Sequence, residues 1–178
     1  MPRPGSRQPP SASPGPALRI GCGADVHALA PGRRLVLGGV EIPHDRGLRG
    51  HSDADVLSHA ICDALLGALG APDMGARFPD TDDRFRGRSS LEFLKEVMVE
   101  VRSRGLEIVN LDSVILAEAP RLQPHLDLMR ERLAAALGCR IDEVGVKAKR
   151  FEGIGSVGRK EGMMAQAVVL LARPRGVS

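Results

Sequence analysis

Asp25 and His27 stand two residues apart in Gly21-Cys22-Gly23-Ala24-Asp25-Val26-His27. In an extended segment that spacing sends both side chains to one face, where a carboxylate and an imidazole can share a cation. His59 is a third candidate: at ~100° per residue on a helix, Ser52, Asp55, His59 and Asp63 share one face, with Leu57 and Ile61 nearly opposite. Ligands of Asp, His and His type leave one tetrahedral corner open, the pattern of a catalytic rather than a structural zinc site. Taken singly, each has an ordinary explanation, Asp25 and His27 as turn residues and His59 as a hydrogen-bonded interior histidine, and the chain has five histidines. Between them, Gly50-His51-Ser52-Asp53-Ala54-Asp55 sets an imidazole and a hydroxyl just before a helix N-terminus, where free N–H groups favour an anion such as phosphate.

The elements that must position these groups follow from pattern and punctuation. A short strand through Leu18, Arg19 and Ile20 runs into Asp25-Val26-His27. Arg34 to Leu37 and Val40 to Ile42 flank Gly38-Gly39 as a hairpin. Ser52 followed by Asp55 resembles a capping box, opening a helix that ends near Leu69, before Gly70 and Pro72. A second helix starts at Ser89 or Ser90 with Glu92 placed for capping, carries Leu91, Leu94, Met98 and Val101 as its apolar stripe, and closes at Gly105. Ile108 to Leu116 reads as a buried strand, then a turn at Pro120 and Pro124 leads to a helix from about Leu126 to Leu137. Strands Val144 to Lys149 and Met163 to Leu171 follow, separated by a glycine-rich stretch. The expected class is α+β, a mixed sheet with helices on one face.

With 178 residues, 43% of them apolar and 26% charged, the chain suits one soluble domain. Residues 1–17 hold six of thirteen prolines and read as a disordered leader, 18–173 as the domain and 174–178 as a flexible tail. The net charge of +3, with no Trp or Tyr and four Phe, argues against nucleic-acid binding. Cys22, Cys62 and Cys139 form no C-x-x-C pair and point to a reducing, cytoplasmic compartment. No apolar run approaches the ~18 residues of a membrane helix.

In this order and spacing the segments above resemble the 2-C-methyl-D-erythritol 2,4-cyclodiphosphate synthase family. Besides the D-x-H and His51-Ser52-Asp53-Ala54-Asp55 segments ending at His59, the resemblance rests on Asp63-Ala64-Leu65-Leu66-Gly67, Asp73-Met74-Gly75 and Phe78-Pro79-Asp80-Thr81-Asp82. It continues through Ala117-Glu118-Ala119-Pro120-Arg121 with His125, and Val146-Lys147-Ala148 with Glu152, Gly155, Arg159 and Glu161. It spans about Leu18 to Leu171.

The resemblance implies that Asp25, His27 and His59 hold zinc, and that His51 and Ser52 contact phosphates, with His51 stabilising the transition state. It further implies that Asp73, Met74 and Gly75 with Phe78, Pro79, Asp80, Thr81 and Asp82 line the methylerythritol pocket. Ala117, Arg121, Leu122 and Gln123 are then expected to hold the cytidine. Glu152 would help bind a second divalent ion, magnesium or manganese. A homotrimer with intersubunit sites is implied, and Arg159 resembles an arginine facing a central cavity able to take a prenyl diphosphate.

After Ala148 the family carries adjacent threonines where this chain has Lys149 and Arg150, so Arg150 is expected to take over a diphosphate contact through its planar fork; an outward-turned Arg150 is the alternative. Ser156 stands where an aromatic is common. The activity implied is closure of 4-diphosphocytidyl-2-C-methyl-D-erythritol 2-phosphate to the cyclic 2,4-diphosphate with release of CMP, as a metal-dependent phosphorus-oxygen lyase. Two other readings compete: a zinc phosphohydrolase using a metal-bound hydroxide, and a metal- or prenyl-phosphate-binding trimer with weakened catalysis.

Overall fold

The computed structural model describes residues 18–174. The leader and the tail from residue 175 onward lie outside the described residues. A long first strand, β1 (Leu18–Pro31), pairs antiparallel with the last, β7 (Gly162–Ala172), from Leu18 opposite Ala172 to Ala28 opposite Gly162. On the other side of β7 lies β5 (Glu107–Leu116), antiparallel to it and parallel to β6 (Val144–Lys149). Short β4 (Arg46–Leu48) flanks β1, giving the order β4-β1-β7-β5-β6, while β2 (Leu35–Leu37) and β3 (Val40–Ile42) form a separate hairpin. The sheet is mixed, as expected.

Three longer helices cover one face: α1 (Val56–Leu69) lies across β1 and β7, α3 (Ser90–Ser103) packs on α1, and α4 (Leu126–Leu137) bridges α3 and β6. Two single α-helical turns, α2 (Met74–Arg77) and α5 (Gly155–Gly158), and three short 3-10 turns are the other helical elements among the described residues. The helix side of the sheet is dry. Leu57, Ile61, Leu65, Leu94, Leu111, Ile115 and Val169 are fully enclosed there, each stabilising the fold by roughly 1.5–3 kcal/mol relative to exposure. The opposite face is open and apolar: Leu18, Ile20 and Val26 of β1 and Val168 of β7 all project into solvent.

Several expectations needed correction. The first strand is one element rather than a short piece, because β7 supplies a partner along eleven registered pairs, which offsets the weak strand propensity of Gly21 and Gly23. There is no capping box at Ser52. Asp55 is itself the N-cap, its carboxylate accepting from Ser58 N at 3.1 Å, Ser58 Oγ at 2.7 Å, Gly38 N at 2.9 Å and Gly39 N at 2.8 Å. The polar stripe of α1 faces inward, since Ser52, Asp55 and His59 are buried. Glu92 pairs with Arg88 at 2.6 Å instead of capping α3, whose Ser90 N–H is taken at 2.9 Å by Asp53. The hairpin, the αL glycine after α1 (Gly70) and the bounds of α4 and β6 match the sequence reading.

Candidate metal centre and substrate cavity

Gly21, Gly23, Asp25 and His27 alternate along the helix-facing side of β1. A Cβ on Gly21 would lie 1.9 Å from the Ala64 carbonyl oxygen, and one on Gly23 2.1 Å from that of Ala60. The two glycines therefore let α1 rest directly on the strand backbone. The same contact lowers His59, the residue before Ala60, onto Asp25 and His27.

The three side chains converge through single atoms. Asp25 Oδ2 lies 2.9 Å from His27 Nε2 and 2.9 Å from His59 Nδ1, and the two ring nitrogens are 3.1 Å apart. Tetrahedral zinc with bonds of ~2.0–2.1 Å needs ligand edges of about 3.3 Å, so a few tenths of an ångström of spreading admits the ion. Both rings have their other nitrogen engaged: His27 Nδ1 donates to the Arg49 carbonyl at 2.6 Å, and His59 Nε2 lies 2.8 Å from Ser90 Oγ and 3.2 Å from Ser52 Oγ. His27 Nε2 and His59 Nδ1 are thus the ring atoms turned toward a shared ion, with the other nitrogen of each ring hydrogen-bonded, as in metal-ligating histidines. Asp25, His27 and His59 form the one such ligand group among the described residues. Burial opposes charge on Asp25 and on His27, but their mutual hydrogen bond and attraction prevail, aided at Asp25 by His59; the carboxyl is held well below the usual carboxylate range and the imidazole is raised above 6.5.

The triad opens onto a cavity of about 390 Å³ that also meets Gly50, His51, Ser52, Asp63, Met74, Gly75, Phe78 and Asp80, with Phe85 and Phe93. Of the residues expected in the methylerythritol pocket, Met74, Gly75, Phe78 and Asp80 line it. Asp73, Pro79, Thr81 and Asp82 do not. Asp73 caps α2 through Ala76 N at 2.8 Å; Asp82 pairs with Arg84 while its carbonyl accepts from His51 Nε2 at 3.0 Å. Sequence reasoning missed Gly50, Phe85, Phe93 and the pocket role of Asp63. Asp63 Oδ1 accepts from Met74 N at 2.7 Å and so ties the cavity rim to α1, and burial together with the charges of Asp73 and Asp25 raises its carboxyl. Its position four residues after His59 was the available signal. Phe78 stacks on Phe93 at 4.5 Å with Phe85 edge-on, a hydrophobic wall no spacing rule announces.

The expected anion site at the start of α1 is closed. The buried Asp55 carboxylate already occupies the helix N-terminus, leaving His51 and Ser52 to meet a ligand from the cavity wall instead. A second cavity of about 410 Å³ gathers Ala117, Glu118, Pro120, Arg121, Leu122, Gln123, Ala148, Lys149 and Arg150, at the C-terminal ends of β5 and β6. The two cavities share no residue. The Arg150 fork is engaged by Glu118, with Nη2 at 2.6 Å and Nε at 3.2 Å from Oε1. Arg150 beside it, with the Phe151 and Gly153 N–H groups, holds the Glu118 carboxyl below its ordinary range.

Glu152, Ser156 and Arg159 line neither cavity. Glu152 takes a positive φ of 50°, Ser156 is exposed on α5, and Arg159 pairs with Glu161 at 2.7 Å.

The model of the YgbB family matches residues 18–172. A 2-C-methyl-D-erythritol 2,4-cyclodiphosphate synthase from Moorella thermoacetica is 56% identical over 154 residues, covering 86% of this chain and 94% of that protein. A solved structure described as the CDP-bound form of 2C-methyl-D-erythritol-2,4-cyclodiphosphate synthase superimposes with a TM-score of 0.79 at 40% identity, over 86% of this chain and 99% of that one. The bifunctional IspDF from Campylobacter jejuni gives a TM-score of 0.84 at 40% identity over 88% of this chain, which spans 42% of that longer chain.

Proposed function

The chain belongs to the YgbB family, and from that membership we propose that it converts 4-diphosphocytidyl-2-C-methyl-D-erythritol 2-phosphate to 2-C-methyl-D-erythritol 2,4-cyclodiphosphate and CMP, a step of isoprenoid precursor synthesis. The observation that carries this reading is the convergence of Asp25, His27 and His59 on the wall of a cavity, with the second ring nitrogen of each histidine hydrogen-bonded. We assign these three residues to zinc, which when bound supplies Lewis-acid polarisation of a phosphoryl oxygen. Glu152 is assigned to a second divalent ion that offsets charge on the substrate diphosphate.

The remaining work falls to placement. A phosphate monoester has a second pKa of about 6, so the 2-phosphate is already a competent nucleophile at neutral pH and needs no strong protein base. Its oxygen attacks the β-phosphorus, the bond to the CMP phosphate oxygen breaks, and CMP leaves with that electron pair. His51 and Ser52 on the cavity wall orient the phosphates, while Met74, Gly75, Phe78 and Asp80 hold the branched sugar alcohol. Holding both ends of a flexible chain in line contributes up to about 7–11 kcal/mol in well-oriented intramolecular reactions.

We assign the cytidine to the second cavity, where Ala117, Arg121, Leu122 and Gln123 offer backbone groups to a base and Lys149 and Arg150 offer cations to phosphates. Two cavities without a common residue suit a site completed by a neighbouring subunit, and the open apolar sheet face suits burial in a homotrimer. Arg159 is assigned to the space such a trimer encloses, as the expected contact of a prenyl diphosphate. Three unpaired cysteines favour a cytoplasmic setting; among the described residues no helix is long and apolar enough to cross a membrane.

Phosphorus NMR of the protein incubated with the cytidine substrate tests the reaction. Ring product appearing with CMP supports cyclisation. An open phosphate with the nucleotide identifies a hydrolase, and an unchanged spectrum a binding protein.

A further inference from the structure

His59 meets Asp25 and His27 through Nδ1, so its Nε2 points away into a second group of hydrogen bonds. Ser90 Oγ is 2.8 Å from that nitrogen. The Ser90 hydroxyl proton is already committed, since it donates to Asp53 Oδ1, and Asp53 Oδ2 accepts the Ser90 N–H at 2.9 Å. Asp53 is itself anchored: its N–H donates to the Arg88 carbonyl at 3.1 Å and its Oδ1 accepts from Asp55 N at 3.3 Å. A hydroxyl has one proton. With it given to Asp53, Ser90 Oγ can only accept, and the group it faces is His59 Nε2–H.

We propose that Ser90, oriented by Asp53, is a positioning residue for the metal centre: it holds the His59 proton on Nε2 and thereby turns the Nδ1 lone pair toward Asp25 and His27. Ser90 is 1% exposed and opens α3, so the device is carried by a helix rather than a loop. Its action has a second consequence. Ser52 Oγ, 3.2 Å from the same nitrogen, accepts from Ala54 N and is not needed to receive the His59 proton, which leaves its own proton for a phosphate in the cavity. The proposal rests on the reading of Asp25, His27 and His59 as a zinc site.

Zinc titration calorimetry, the visible spectrum of the cobalt-substituted protein and long-range proton–nitrogen NMR of the histidine rings test it together. In the zinc-loaded protein, His59 is expected to carry its proton on Nε2, hydrogen-bonded to Ser90, with the metal on Nδ1. Ser90→Ala is expected to bind zinc about 10–100-fold more weakly and to change the cobalt spectrum, with Asp53→Asn shifted in the same direction. A Ser90→Ala protein matching the unsubstituted one within about twofold in affinity, with the same spectrum, overturns the proposal while sparing the zinc site. Should that variant not fold, the unsubstituted protein decides: metal on Nε2, or a proton on Nδ1, overturns it. An unsubstituted protein that binds no zinc removes the zinc site itself and the proposal with it.

Discussion

At the scale of single residues, the centre is a matter of which atoms face one another. His59 is the ligand brought from the helix, and without it Asp25 and His27 retain only two points of attachment. His59→Ala is expected to lose stoichiometric zinc and to slow CMP release by roughly a thousandfold, since Lewis-acid stabilisation is worth several kcal/mol and 1.36 kcal/mol is a factor of ten; release at the unsubstituted rate would show that the helix ligand is dispensable. Arg150 poses a different question, because Glu118 already holds its fork and most of its side chain is exposed. If it only braces the ends of β5 and β6, its removal leaves turnover unchanged. As a phosphate contact, its replacement by Ala is expected to raise KM for the cytidine substrate about tenfold or more in steady-state CMP release, in keeping with a charge-assisted hydrogen bond.

At the scale of elements, Asp25, His27 and His59 converge because one helix lies unusually close to one strand. Gly23→Ala would put a methyl 2.1 Å from the Ala60 carbonyl oxygen, a backbone atom that cannot turn aside. The expected outcome is a loss of about 2 kcal/mol or more in urea unfolding together with weaker zinc binding, as α1 lifts His59 away from β1. Wild-type stability and affinity in this variant would show that the close packing does not set the site. Much of this architecture was legible in the chain: Gly38-Gly39 announced the hairpin, Gly70 the end of α1, and the D-x-H alternation the shared face of Asp25 and His27. What was not legible depended on distant partners. Gly21 and Gly23 read locally as weak strand formers, and only α1 explains them; Ser52 and Asp55 read as one capping signal, whereas Asp55 alone caps α1 and also serves the β2–β3 turn, and Asp53 serves Ser90 on α3. The aromatic wall draws Phe78, Phe85 and Phe93 from separate short elements, and its stacking depends on how those elements fold onto one another rather than on a periodic spacing.

At the scale of the whole molecule, the outer face of the sheet sets the expected assembly. Ile20 and Leu170 stand in register across β1 and β7, as do Cys22 and Val168, so this face presents neighbouring apolar rows to solvent in a lone protomer. Sedimentation is expected to give three times the 18.9 kDa of one chain, and Ile20→Glu with Val168→Glu is expected to yield the single-chain mass by burying unpaired like charges at the interface. A trimer unaffected by that pair of changes would place the contact elsewhere. The most direct test of the zinc-dependent chemistry is to strip the assembled protein with a chelator, return zinc in measured amounts with magnesium held constant, and follow CMP release. Activity is expected to vanish on stripping and to return in proportion to zinc, saturating at one ion per chain; full CMP release from the metal-free protein would contradict it.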